Sequence, residues 1–166
     1  MYVRIKNDIK KIVIVGSFGV GKTSLIRRFV DDTFADDYKV TIGVHILKKT
    51  VEVQDHEVNL IIWDTEGTDD IKELRKTYLL GTHGFIYVTD VTRPKTYLHL
   101  NEHKEYLNNN FGNVPIITVG NKSDLLPKGS IAQKKEEMDF LDLIISAKEG
   151  SNMQRLFEKM AKTLLS

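Results

Sequence analysis

Ile12-Val13-Ile14-Val15-Gly16-Ser17-Phe18-Gly19-Val20-Gly21-Lys22-Thr23-Ser24 sets the frame for the rest of the chain. Four β-branched residues in a row, ended by glycine, are the pattern of a short strand buried on both faces. From Lys22 the apolar residues change period, with Leu25, Ile26 and Phe29 on one helical stripe before the polar Asp31-Asp32-Thr33. Between strand and helix, Gly16 to Thr23 fill the pattern G-x-x-x-x-G-K-[ST]. There the glycines let the backbone curl until successive N–H groups between Ser17 and Ser24 point at an anion, and the helix adds the positive end of its dipole. Lys22 supplies a point charge and Thr23 a hydroxyl for Mg²⁺. A plain glycine-rich turn is the competing explanation, and the flanking strand and helix weigh against it.

Outward from this cradle the chain keeps alternating. Val44 to Val53 and Val58 to Trp63 read as two strands of a hairpin turning near Asp55-His56. Leu74 to Leu80 reads as helix, Phe85 to Val88 as a buried strand, and Pro94 suits the first turn of a helix running to about Asn109. Val114 to Val119 is again strand, Gln133 to Met138 a short charged helix, and Leu141 to Ile145 a last strand. Met153, Leu156, Phe157, Met160 and Leu164 then share one stripe of a closing helix. This order predicts a three-layer α/β domain over residues 1–166: a mostly parallel six-stranded sheet with one antiparallel edge strand, helices on both faces and ligands at the carboxyl ends of the strands. No internal repeat or linker interrupts it.

Composition narrows the partners. The 24 Lys and Arg against 23 Asp and Glu nearly cancel, so no basic field argues for nucleic acid or an anionic membrane surface. Cysteine is absent, which removes disulfides, thiolate metal sites and a prenyl or palmitoyl anchor from this stretch. Met1-Tyr2-Val3-Arg4 has neither a signal-peptide core nor the glycine that myristoylation needs. The expectation is a cytoplasmic monomer with no intrinsic membrane anchor in the chain. His99 and His103, four apart on a predicted helix, lack the pattern of a metal pair and read as a solvated face. Lys10-Lys11, Lys48-Lys49 and Lys134-Lys135 read as surface charge.

Two further motifs fall on the predicted binding edge. Asn121-Lys122-Ser123-Asp124 follows the strand ending at Val119-Gly120, and Ser146-Ala147-Lys148 follows the strand ending at Ile145. A carboxylate at Asp124 can accept from both the ring N–H and the exocyclic amine of guanine, a donor pair that adenine lacks. Each motif alone is weak; their order after a phosphate cradle is strong. With these in hand the chain resembles the Ras-like small GTPases, a P-loop fold, and in detail the Rab branch, from about Lys11 to Leu164. Tyr38-Lys39-Val40-Thr41-Ile42-Gly43-Val44 looks like the first switch of that family and Trp63-Asp64-Thr65-Glu66-Gly67 like the second. Segments 77–84 and 87–92 are also similar to Rab segments.

The resemblance implies GTP or GDP with Mg²⁺ as cofactors, the ion ligated by Thr23 and Thr41 and held by Asp64 through water. It implies Gly67 N–H on the γ-phosphate, Phe34 edge-on to guanine, Asn121 on the N7 side of the base, Lys122 along the ring and Ala147 N–H on the exocyclic oxygen. Tyr38, Ser146 and Lys148 complete the nucleotide set. Protein effectors, an exchange factor and an activating protein would meet the switches. Three positions depart from the family: Phe18 in place of a small residue, Glu66 in place of alanine and Thr68 in place of the glutamine that orients water. Ile46 likewise replaces a usual phenylalanine. Lys22, Thr41, Glu66 and Thr68 are the candidate catalytic residues. The expectation is a slow GTPase acting as a switch, with a non-hydrolysing scaffold as the alternative.

Overall fold

The run from Ile12 to Val15 lies at the middle of the molecule because it has an apolar side chain for each face. In the computed structural model, which describes residues 6–34 and 40–166, this run belongs to β1 (Lys6–Gly16). β1 pairs in parallel with β3 (His56–Thr65) on one side and with β4 (Gly84–Asp90) on the other. β2 (Val44–Val53) lies antiparallel on β3 at one edge. Beyond β4, β5 (Ile116–Asn121) and β6 (Leu143–Ile144) continue in parallel, so the six strands run β2-β3-β1-β4-β5-β6. The mostly parallel sheet with one antiparallel edge strand is therefore present. Its helices are α1 (Lys22–Asp31), α2 (Lys76–Leu79), α3 (Leu100–Phe111), α4 (Ile131–Glu137) and α5 (Met153–Leu165).

Alternation along β1 divides the core in two. Ile12 and Ile14 face Leu25, Ile26 and Phe29 of α1 and Leu156, Phe157 and Met160 of α5. Val13 and Val15 join the opposite cluster with Leu79, Phe85, Tyr87, Leu100 and Leu107. Phe29 and Phe157 stack with ring centroids 3.6 Å apart, tying α1 to α5 beneath the cradle. Among the described residues no helix is long and apolar enough to cross a membrane.

Several elements differ from their expected bounds, each for a local reason. The β2–β3 turn falls on Gln54-Asp55, one residue earlier than expected, where φ of 49° and 64° form the left-handed two-residue turn that matches strand twist. Leu74 to Leu80 is not one helix. Leu74 is buried with extended backbone (ψ 141°), which separates a 3₁₀ turn at Ile71–Glu73 from α2. Pro94 opens a separate 3₁₀ turn, Pro94–Tyr97, held by Thr96: its Oγ1 accepts from Asp90 N–H and donates to Arg93 O. The last strand shrinks to Leu143–Ile144. His103 is not on a solvated face; it is buried against Tyr87, with Nδ1 and Oη 2.6 Å apart. Lys11 is more than surface charge, since its ammonium lies 3.8 Å from the Trp63 ring centroid and donates to Leu80 O.

Candidate nucleotide site

Every parallel strand delivers its carboxyl end to the same edge, and there a cavity of about 270 Å³ opens. Phe18, Gly19, Gly21, Lys22, Thr23, Ser24, Phe34, Thr41, Gly67, Asn121, Lys122, Asp124, Ala147 and Lys148 line it, together with Arg27, Thr65 and Leu125, which were not among the expected site residues. Phe34, half-buried, is a wall residue rather than core. Ser17, Val20, Asp64 and Ser146 are buried behind the wall and hold residues that form it. Glu66 and Thr68 flank Gly67 without lining the cavity, and Tyr38 lies outside the described residues.

The loop is shaped by contacts that glycine alone permits. Gly21 has φ of +96°, and a Cβ there would strike the Asn121 side chain. A Cβ on Gly67 would lie 2.8 Å from Phe18 N, so residues 66–68 pack directly on the cradle. Glu66 N–H donates to Gly43 O (3.0 Å) and Thr68 N–H to Gly16 O (3.2 Å), pinning this segment on both sides. The Thr68 hydroxyl turns to Asp70 O (2.9 Å) and the Glu73 carboxylate (3.2 Å).

Lys22 curls back over the loop and donates to Gly16 O and Ser17 O, both at 2.9 Å. Burial lowers its pKa to about 8, with the Asp64 charge opposing. Thr23 Oγ1 donates to Asp64 Oδ2 at 2.7 Å and lies 2.7 Å from Thr41 Oγ1. Burial pushes the Asp64 carboxyl up, against the Thr23 hydrogen bond and the Lys22 charge. Asp64 Oδ1 is buried with no hydrogen-bond partner, an arrangement that costs free energy unless a cation or its water fills the place. Two hydroxyls and one carboxylate are hard oxygen donors, so the set fits Mg²⁺ completed by phosphate oxygens. Among the described residues no cluster of three His, Cys, Asp or Glu offers another metal site.

At the other motifs the side chains order one another. Asn121 Nδ2 donates to Val20 O (2.9 Å) while its Oδ1 accepts from Ala147 N–H (3.0 Å), joining the β5 and β6 loops to the cradle. Lys122, at φ 68°, donates to Gly19 O (2.6 Å) and pairs with buried Asp90 at 3.2 Å. Ser146 Oγ donates to Asp124 Oδ1 (2.8 Å) and accepts from Glu149 N–H, so it aims the carboxylate. Residues with no motif also contribute. Arg28 donates to Ala147 O (2.8 Å) and Lys148 O, and Arg93 to Phe18 O (3.1 Å). The signal available for Arg93 was its place just past the carboxyl end of β4, on the binding edge.

A glycine cradle closed by a buried lysine at the carboxyl edge of a parallel sheet places the molecule in the class of P-loop α/β folds. The model of the Ras family matches residues 11–166. The chain is 36% identical over 163 residues to "GTP-binding protein YPTM2" of Zea mays, an alignment covering 93% of this chain and 79% of that protein. It is 34% identical to "Ras-related protein Rab-1" of Theileria annulata and of Theileria parva, covering 93% of this chain and 73% of each. The chain belongs to the Ras family of small GTPases, in its Rab branch.

Proposed function

We propose that residues 1–166 form one guanine-nucleotide switch domain that binds GTP or GDP with Mg²⁺, hydrolyses GTP slowly and presents the segments around Thr41 and Gly67 to protein effectors. The observation that carries this reading is that Asp124 and Ala147 line the same cavity as Lys22, Thr23 and Thr41. Asp124, held by Ser146, accepts the two donors of guanine; Ala147 N–H and Asn121 bracket the other edge; Lys22 and the loop N–H groups balance the phosphates. Thr23, Thr41 and Asp64 would hold Mg²⁺, which would supply positive charge against the phosphates. Thr41 and Gly67 would be ordered by a γ-phosphate and released without it, which is the switch.

Slow turnover follows from what surrounds that phosphate. Thr68 is short, and its hydroxyl is engaged with Asp70 and Glu73, so it does not orient the attacking water. Phe18, about half exposed at the rim, adds bulk where an arginine from an activating protein would enter. Glu66 is the remaining side chain near enough in sequence to take over water positioning. The chain is proposed as a cytoplasmic monomer that meets its exchange factor and activating protein through the same segments. Chromatography of the nucleotide released from the purified, denatured protein tests the reading: GDP or GTP supports it, and an adenine nucleotide overturns it.

A further inference from the structure

Five consecutive carbonyls of the phosphate loop, Gly16 to Val20, each accept a hydrogen bond from a side chain. Lys22 Nζ serves Gly16 and Ser17, Arg93 Nη1 serves Phe18 at 3.1 Å, Lys122 Nζ serves Gly19 and Asn121 Nδ2 serves Val20. Three of these four side chains belong to the motifs that define the site. Arg93 does not. We propose that Arg93 is a positioning residue for the nucleotide phosphates, acting through the peptide unit between Phe18 and Gly19; this rests on the nucleotide reading above.

A trans peptide unit carries its C=O and the next N–H in opposite directions. With the Phe18 carbonyl held outward by a guanidinium, the Gly19 N–H is turned toward the cavity that Gly19 lines. A charged donor on the carbonyl also polarises the unit, strengthening the N–H as a donor to an anion on the other side. Gly19 sits close under this cation, since a Cβ there would lie 3.4 Å from Arg93 Nη1.

The backbone of Arg93 is fixed for this task. The following Pro94 keeps it extended (φ −128°, ψ 91°), its N–H donates to Asp90 O, and its carbonyl accepts from Thr96 N–H and Oγ1. Asp90 also holds Lys122, so one turn after β4 aims two cations at adjacent carbonyls. The Arg93 side chain is exposed and packs into no core cluster, which separates its role from folding.

The test compares the full chain with Arg93→Ala and Arg93→Lys, measuring GDP and guanosine by competition against a fluorescent GDP analogue. Arg93→Ala should weaken GDP about fivefold and leave guanosine, which has no phosphate, within about twofold; Arg93→Lys should recover most of the loss. If Arg93→Ala does not fold, Arg93→Gln, which keeps a donor without charge, carries the same comparison. Unchanged GDP affinity in the Ala or Gln variant, or equal losses for GDP and guanosine, overturns the proposal while leaving the nucleotide reading intact. A parent chain that binds no GDP overturns both.

Discussion

Lys22 titrates in a range where few lysines do, because burial lowers it from 10.5 to about 8 while Asp64 only partly compensates. Between these two values the nucleotide-free native chain holds fewer protons than the unfolded chain, so this group makes stability rise with pH across that window. An anion on the loop should reverse the shift. At pH 9, GDP binding is expected to take up a fraction of a proton, read by calorimetry in two buffers of different ionisation heat; at pH 6.5 uptake by this group should vanish. No uptake at pH 9 would mean that Lys22 is not what meets the phosphate. Thr68 and Glu66 give a second test at this scale. Single-turnover GTP hydrolysis should be slow in the parent, faster by about tenfold or more in Thr68→Gln, and slower still in Glu66→Ala if Glu66 positions the water. A parent as fast as glutamine-bearing relatives would remove the positioning argument.

The segment Glu66-Gly67-Thr68 acts as a unit, pinned by Glu66 N–H on Gly43 and Thr68 N–H on Gly16 and pressed against Phe18 at Gly67. Gly67→Ala sets a methyl against Phe18 backbone, which cannot rotate aside, so the whole segment must lift. The expected result is a faster off-rate for a non-hydrolysable GTP analogue, by about tenfold, with GDP changed far less. Equal effects on both would show that this segment does not sense the γ-phosphate. Elements of this kind were only partly legible in the chain. β1, α1 and the hairpin could be read because their apolar periods are uninterrupted, as at Ile12 to Val15 and Leu25 to Phe29. Leu74 to Leu80 misled because its period suits a helix while burial of Leu74 demands extended backbone. Likewise the Thr96 hydroxyl competes for the backbone of the turn after Pro94 and delays α3 to Leu100. The motif residues of the cavity were legible because each group is contiguous. Arg93 and Arg28 were not, since their partners Phe18 and Ala147 lie 75 and 119 positions away in the chain.

At the scale of the molecule, the cradle rests on the α1–α5 half of the core. Phe157→Ala would remove the ring stacked on Phe29 and leave a cavity under α1, at a cost of about 3–5 kcal/mol. Urea unfolding of the parent and variant measures it; a change below about 1 kcal/mol would mean that the two helices are not held this way. The three motif groups converge on one cavity at one sheet edge, so its ligand decides what the molecule does. Paired titrations of GDP and ADP, on the parent and on Asp124→Asn, address it most directly. GDP should bind tighter than ADP by about a hundredfold or more in the parent, because adenine cannot supply two donors to the Asp124 carboxylate. Asp124→Asn should lose most of that margin and admit xanthosine diphosphate, whose C2 carbonyl oxygen, standing where guanine has its amine, accepts from the new amide. Equal affinity of the parent for ADP and GDP would mean that this cavity is not a guanine site.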